Sequence, residues 1–194
     1  MKKIILYISS VLAAAPVSAQ ETILPANAQK EPIALTNATI HVGNGQVINN
    51  GTVVFKDGKI TEVGATASTA GAKLIDCRGK HIYPGLILAS SQIGLVEVPS
   101  VRATIDGSEI GEINPSIRSL VAYNTDSQVI NTLRTNGILL ANIVPAGGII
   151  SGSSSVVQLD AWNWEDAAYK TDNGIHFRMP SLLTRRGGRG GFGN

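Results

Sequence analysis

The chain changes character at Pro84-Gly85, and that break constrains its fold more than any other feature. Before it, from Ile33 to Tyr83, apolar residues come in short runs separated by turn residues, with no helical period. Thr52-Val53-Val54-Phe55 and Lys59-Ile60-Thr61-Glu62-Val63 flank Asp57-Gly58. A two-residue turn between strands needs positive φ, which Asp-Gly supplies at little cost, so this stretch predicts a hairpin. Ile33 to Val42 supplies an earlier strand, and Lys73 to Cys77 and His81 to Tyr83 supply two later ones around a turn at Gly79. Residues 33–83 are therefore expected to form a compact all-β unit.

After the break, Leu86-Ile87-Leu88-Ala89 is a continuous apolar run, the pattern of a strand buried on both faces of a parallel sheet. Asn114-Pro115 predicts a short helical segment. Asp126 predicts the cap of another, running through Val129, Ile130 and Leu133 to a stop at Asn136-Gly137. Ile138 to Val144 is a second apolar strand, so strand, helix and strand give the βα repeat of an α/β architecture. Past the Gly-rich turn Ala146-Gly147-Gly148, Ser153 to Leu159 predicts a further strand, and Asp160 or Asn163 can cap a helix.

The ends are of a different kind. Lys2 and Lys3 precede an apolar run from Ile4 to Val17 and the small residues Val17-Ser18-Ala19, which is the layout of a secretory signal peptide at 1–19, cut between Ala19 and Gln20. The run is shorter than the roughly 20 residues that span a bilayer, so no membrane span is expected and the product is periplasmic or extracellular. Losing Lys2 and Lys3 leaves 14 basic residues against 14 acidic ones. A neutral chain has no general electrostatic attraction for nucleic acid or an anionic membrane. Cys77 is the one cysteine, so no internal disulfide is possible. Residues 20–32 read as a flexible leader and 185–194, mostly Gly and Arg, as a disordered tail.

Three segments in order, Asp57-Gly58-Lys59-Ile60 through Gly64, Ile75-Asp76-Cys77-Arg78-Gly79-Lys80, and Tyr83-Pro84-Gly85-Leu86-Ile87, resemble the opening of amidohydrolase-superfamily proteins. The likeness is to the imidazolonepropionase-like and dihydroorotase-like branches, and Asn136-Gly137-Ile138 continues it. It implies that 33–83 form a small β-sandwich-like domain feeding the first strands of a metal-dependent (β/α)8 barrel, here expected over 84–184. The parent class hydrolyses C–N bonds of cyclic amides with metal-activated water. Its first barrel strand normally carries Asp and then two histidines one residue apart, because residues i and i+2 on a strand face the same way and can share a metal. Here Leu88, Ser90 and Gln92 occupy the corresponding positions, and neither hydroxyl nor amide suits Zn²⁺. No metal and no catalysis are expected of this chain as written, although Zn²⁺ is the expected cofactor of the parent family.

A full barrel takes about 250 residues, and only 111 remain from Pro84 onward. The resemblance therefore implies an incomplete barrel and a partner: the missing barrel half, in the same polypeptide or in another. A non-catalytic binding or scaffold subunit is the alternative. Candidate pocket residues are Asp106 and Glu109 on a carboxylate-rich loop, with Glu112 close by. Gly147, Gly148 and Ser151 could offer backbone N–H groups to an anion, and Trp162 and Trp164 could stack on a ring.

Overall fold

The computed structural model describes residues 25–180. The expected signal peptide, its cleavage point at Ala19 and Gln20, and the Gly/Arg tail lie outside the described residues. Of the expected leader, 25–32 has neither helix nor strand. It is nevertheless tied down: the Gln29 side-chain amide donates to the Phe55 carbonyl at 2.9 Å, and the Ala26 N–H donates to Asp160 at 3.2 Å.

The first five strands are β1 (Ile33–His41), β2 (Val47–Lys56), β3 (Lys59–Gly64), β4 (Lys73–Asp76) and β5 (His81–Ile82). They form one mixed sheet in the order β3-β2-β1-β4, with β5 also on β1. The hairpin expected at Asp57-Gly58 is present: Lys56 pairs with Lys59 across the turn, and both turn residues have positive φ, 52° and 71°. β4 and β5 run parallel to β1. The β unit is thus a single five-stranded sheet instead of the expected sandwich-like pair of layers. Ala38, Ile40, Val53 and Cys77 bury its core, so the lone cysteine serves as a small apolar residue.

The second sheet has the order β6-β7-β8-β9, from β6 (Leu86–Ser91), β7 (Ile138–Ile143), β8 (Ile150–Gln158) and β9 (Ala168–Phe177). Short 3₁₀ turns at Arg102–Thr104 and Ser119–Ala122 and two helices, α1 (Gln128–Thr135) and α2 (Trp164–Ala167), complete the described elements. α1 stops where expected, with Asn136 as its C-cap and Gly137 at φ 81°. Its N-cap is Ser127, not Asp126, and the Ser127 hydroxyl donates to Glu97 at 2.8 Å instead of capping the helix. Asn163 caps α2, its side-chain oxygen accepting the Asp166 N–H at 2.8 Å. The segment expected at Asn114-Pro115 is a turn, and the nearest helical residues begin at Ser119.

β6 and β7 run parallel with α1 between them, so the βα repeat is found once. It then departs from expectation, because β8 and β9 are antiparallel. Residues 144–149 explain why: a parallel return needs a crossover of a dozen or more residues, and this connection is half that length. The main core lies on one face of this sheet, where Ile93, Leu95, Leu120, Ile130, Ile143 and Val157 are buried together. No helix among the described residues is long and apolar enough to cross a membrane.

Candidate functional site

The carboxyl end of β6 is where the resemblance locates metal ligands. Leu88 pairs with Ala141 and Ser91 with Ile143, a step of three along β6 against a step of two along β7. Ala89 and Ser90 together therefore oppose Asn142, a β-bulge that breaks the strict alternation of side chains. The Asn142 side-chain amide donates to the Ala89 carbonyl at 3.1 Å, spanning the distorted stretch. Strand β6 ends at Ser91, and Gln92 already belongs to the next turn, its carbonyl accepting the N–H groups of Leu95 and Val96. Ser90 is exposed in the bulge, and the Gln92 amide lies over Gly107. An alternating strand face carrying two adjacent ligands is thus absent at 90 and 92, and hydroxyl and amide are poor donors for Zn²⁺. Among the described residues, no three of His, Cys, Asp and Glu lie close enough to hold a metal ion. The residues present do not fit the metal that the resemblance implies.

Beside this strand end lies a cavity of about 380 Å³, lined by Asp106, Glu109, Ser116, Arg118 and Ser119 among others. It gathers the two candidate carboxylates of the 106–112 loop. That loop is not free: Asp106 N–H donates to the Leu95 carbonyl at 2.7 Å, and the Glu112 carbonyl accepts both Ile149 and Ile150 N–H. Farther along, Asn114 N–H donates to Ile150 and Ser153 N–H to Ile117. The loop is thereby zipped along the start of β8, where Ser151 and Ser153 are buried.

The glycine turn packs behind the same loop. A Cβ on Gly148 would meet the carbonyls of Gly111 and Glu112 at 2.8 Å. The neighbouring donors are taken, with Ala146 N–H on Gly107 at 2.7 Å and the Ser151 hydroxyl on Gly147. Trp162 and Trp164 lie apart from the cavity: Trp162 is exposed, whereas Trp164 is half-buried against the main core.

Arg118 was not legible as a site residue, since a lone arginine in a loop carries no signal. It lines the cavity and is forked onto Asp172, whose carboxyl it holds below the ordinary carboxylate range, with help from Ser153. Nor was Tyr123 singled out. Among the described residues its buried hydroxyl meets no hydrogen-bond partner, and burial, with Glu97 nearby, pushes its ionisation upward.

No protein-family model matches the chain. It is 32% identical over 120 residues to an imidazolonepropionase of Mesorhizobium japonicum, an overlap of 55% of this chain and 29% of that enzyme. Among solved structures, an amidohydrolase from Thermotoga maritima superposes with a TM-score of 0.70 at 26% identity, over 75% of this chain and 38% of that one. A prolidase-like protein from Bifidobacterium longum matches only 33% of this chain, at 34% identity and a TM-score of 0.29, and bears no weight on the fold. The chain thus spans about a third of the length of the relatives it matches. In sequence and in fold, the chain resembles members of the amidohydrolase superfamily.

Proposed function

We propose that this chain is the N-terminal part of an exported amidohydrolase-like protein, that its own residues form the small β domain and an incomplete barrel, and that it does not catalyse by itself. The parent class would act on non-peptide C–N bonds such as those of cyclic amides. The observation that carries this reading is the state of β6. Among the described residues β6 is bonded to β7 alone, and Leu86 and Ile87 are each 61% exposed. A strand with successive large aliphatic residues is suited to burial on both faces. An open edge of that kind is an invitation to pair with another strand. The missing barrel half, in the same polypeptide or another, is the occupant whose chemistry fits. Ser90 and Gln92 at the end of β6 support the non-catalytic part of the reading.

The experiment is to purify the full chain alone and together with a polypeptide carrying further barrel strands, then measure chelator-resistant zinc and hydrolysis of a panel of cyclic amides. The expected result for the chain alone is neither chelator-resistant zinc nor turnover, also after Ser90→His and Gln92→His are combined. One chelator-resistant zinc per chain with measurable hydrolysis would overturn the proposal.

The cavity favours a second reading, a binding or scaffold subunit that takes a polar ligand between Asp106, Glu109 and Arg118. Saturable ligand binding to the chain alone, lost in Arg118→Ala, would favour it over the first.

A further inference from the structure

The sequence has three histidines, and the fold brings two of them together. β5 runs parallel to β1 with Thr39 opposite His81 and Ile40 opposite Ile82. Side chains two apart on a strand share a face, so His41 projects on the same side as Thr39, and Tyr83 on the same side as His81. His41 consequently falls between the other two rings. Its Nε2 lies 3.0 Å from Nδ1 of His81, and its ring stacks on Tyr83 with centroids 4.2 Å apart and an interplanar angle of 10°.

We propose that His41 and His81 form a two-imidazole binding site for a divalent transition-metal ion, with Cu²⁺ favoured. Two nitrogens bound at about 2.0–2.1 Å to one ion stand about 2.9 Å apart at a right angle and about 3.3 Å apart in a tetrahedron. The observed 3.0 Å falls within that span and nearer the right angle, the geometry that Cu²⁺ takes with nitrogen and oxygen ligands. Only one of the two facing nitrogens carries a hydrogen when they bond to each other. A metal ion bound to both nitrogens stands off the line that joins them, so each ring turns to aim its lone pair at the ion. The displaced proton moves through solvent to the far nitrogen of the same ring, with no net change in protonation of a neutral pair. The register of β1 and β5 and the Tyr83 stack keep the two rings side by side, which lowers the entropy lost on chelation. Water fills the remaining positions, since the protein supplies two ligands.

This site depends on the first sheet and is independent of what covers β6. Electron paramagnetic resonance of the full chain titrated with Cu²⁺ reads the ligands directly, whether the chain is monomeric or self-associated. The expected result is one Cu²⁺ per chain with the hyperfine pattern of two imidazole nitrogens. His41→Ala and His81→Ala should each remove one nitrogen from the spectrum and weaken binding at least 10-fold, the loss that even a supporting contact brings about. Tyr83→Leu should keep both nitrogens and bind more weakly, and His176→Ala should change nothing. Binding unchanged in His41→Ala and His81→Ala, or lost in His176→Ala, would overturn the proposal. Because both rings are on the surface, neither alanine variant is expected to disturb folding, and far-ultraviolet circular dichroism identical to that of the parent checks it. If one variant misfolds, His81→Gln removes the imidazole from the same place.

Discussion

Arg118 and Asp172 meet fork to fork, with Nε on Oδ1 and Nη2 on Oδ2 both at 3.0 Å, although 54 residues separate them in the chain. Ser153 donates to the same carboxylate at 3.0 Å, and the Asp172 N–H donates to the Ser155 hydroxyl at 3.1 Å. One side chain thus ties the loop beside the cavity to β8 and β9. Asp172 itself sits at φ 49°, a left-handed conformation that Asp and Asn adopt more readily than other non-glycine residues.

The Asp172 contacts predict an acid-sensitive increment of stability. Arg118 and then Ser153 hold the folded carboxyl below its ordinary value, so the increment is present above about pH 4 and disappears as pH falls through the lower, folded value. Asp172→Asn keeps the backbone preference and removes the charge. Its melting temperature should fall below that of the parent at pH 7, and the gap should narrow toward pH 2. A gap that is constant with pH would show that the carboxylate contributes nothing through its charge.

Gly152→Ala should be costly. Gly152 has φ 116°, and a Cβ there would stand 2.5 Å from the Ile117 carbonyl oxygen. Backbone strain and the collision together should cost at least about 2 kcal/mol, and should detach the loop that ends in Arg118. Gly58→Ala, at φ 71° with open space around it, should cost only about 1 kcal/mol. Denaturant unfolding of both variants measures the difference.

These positions show which parts of the molecule were legible in its sequence. Asp57-Gly58, Gly137 and Asn163 act through their own backbones or within one turn, so local residue chemistry named the hairpin, the helix stop and the cap. The antiparallel course of β8 was hidden, because an apolar strand reads alike in either direction. Only the short 144–149 connection decides between them. The bulge at Ala89 and Ser90 depends on the register against β7, and the pairing of the 106–118 loop with β8 joins residues far apart in the chain. For the same reason the candidate carboxylates Asp106 and Glu109 could be named, whereas Arg118 beside them could not.

Export is predicted by Lys2 and Lys3, the apolar run and Val17-Ser18-Ala19. N-terminal sequencing of the protein recovered from a periplasmic fraction should begin at Gln20. Intact Met1 in that fraction would contradict a cleaved signal.

The open edge of β6 is the centre of this account, and self-association is its most direct readout. Each large aliphatic side chain left in water forfeits roughly 1.5–3 kcal/mol, against about 5–15 kcal/mol for a whole domain, so Leu86 and Ile87 weigh heavily. Sedimentation velocity of the full chain should show self-association or aggregation when it is alone, and a single soluble species when it is co-expressed with a polypeptide bearing further barrel strands. A monodisperse monomer of the chain alone, unfolding in one sharp cooperative transition, would contradict it.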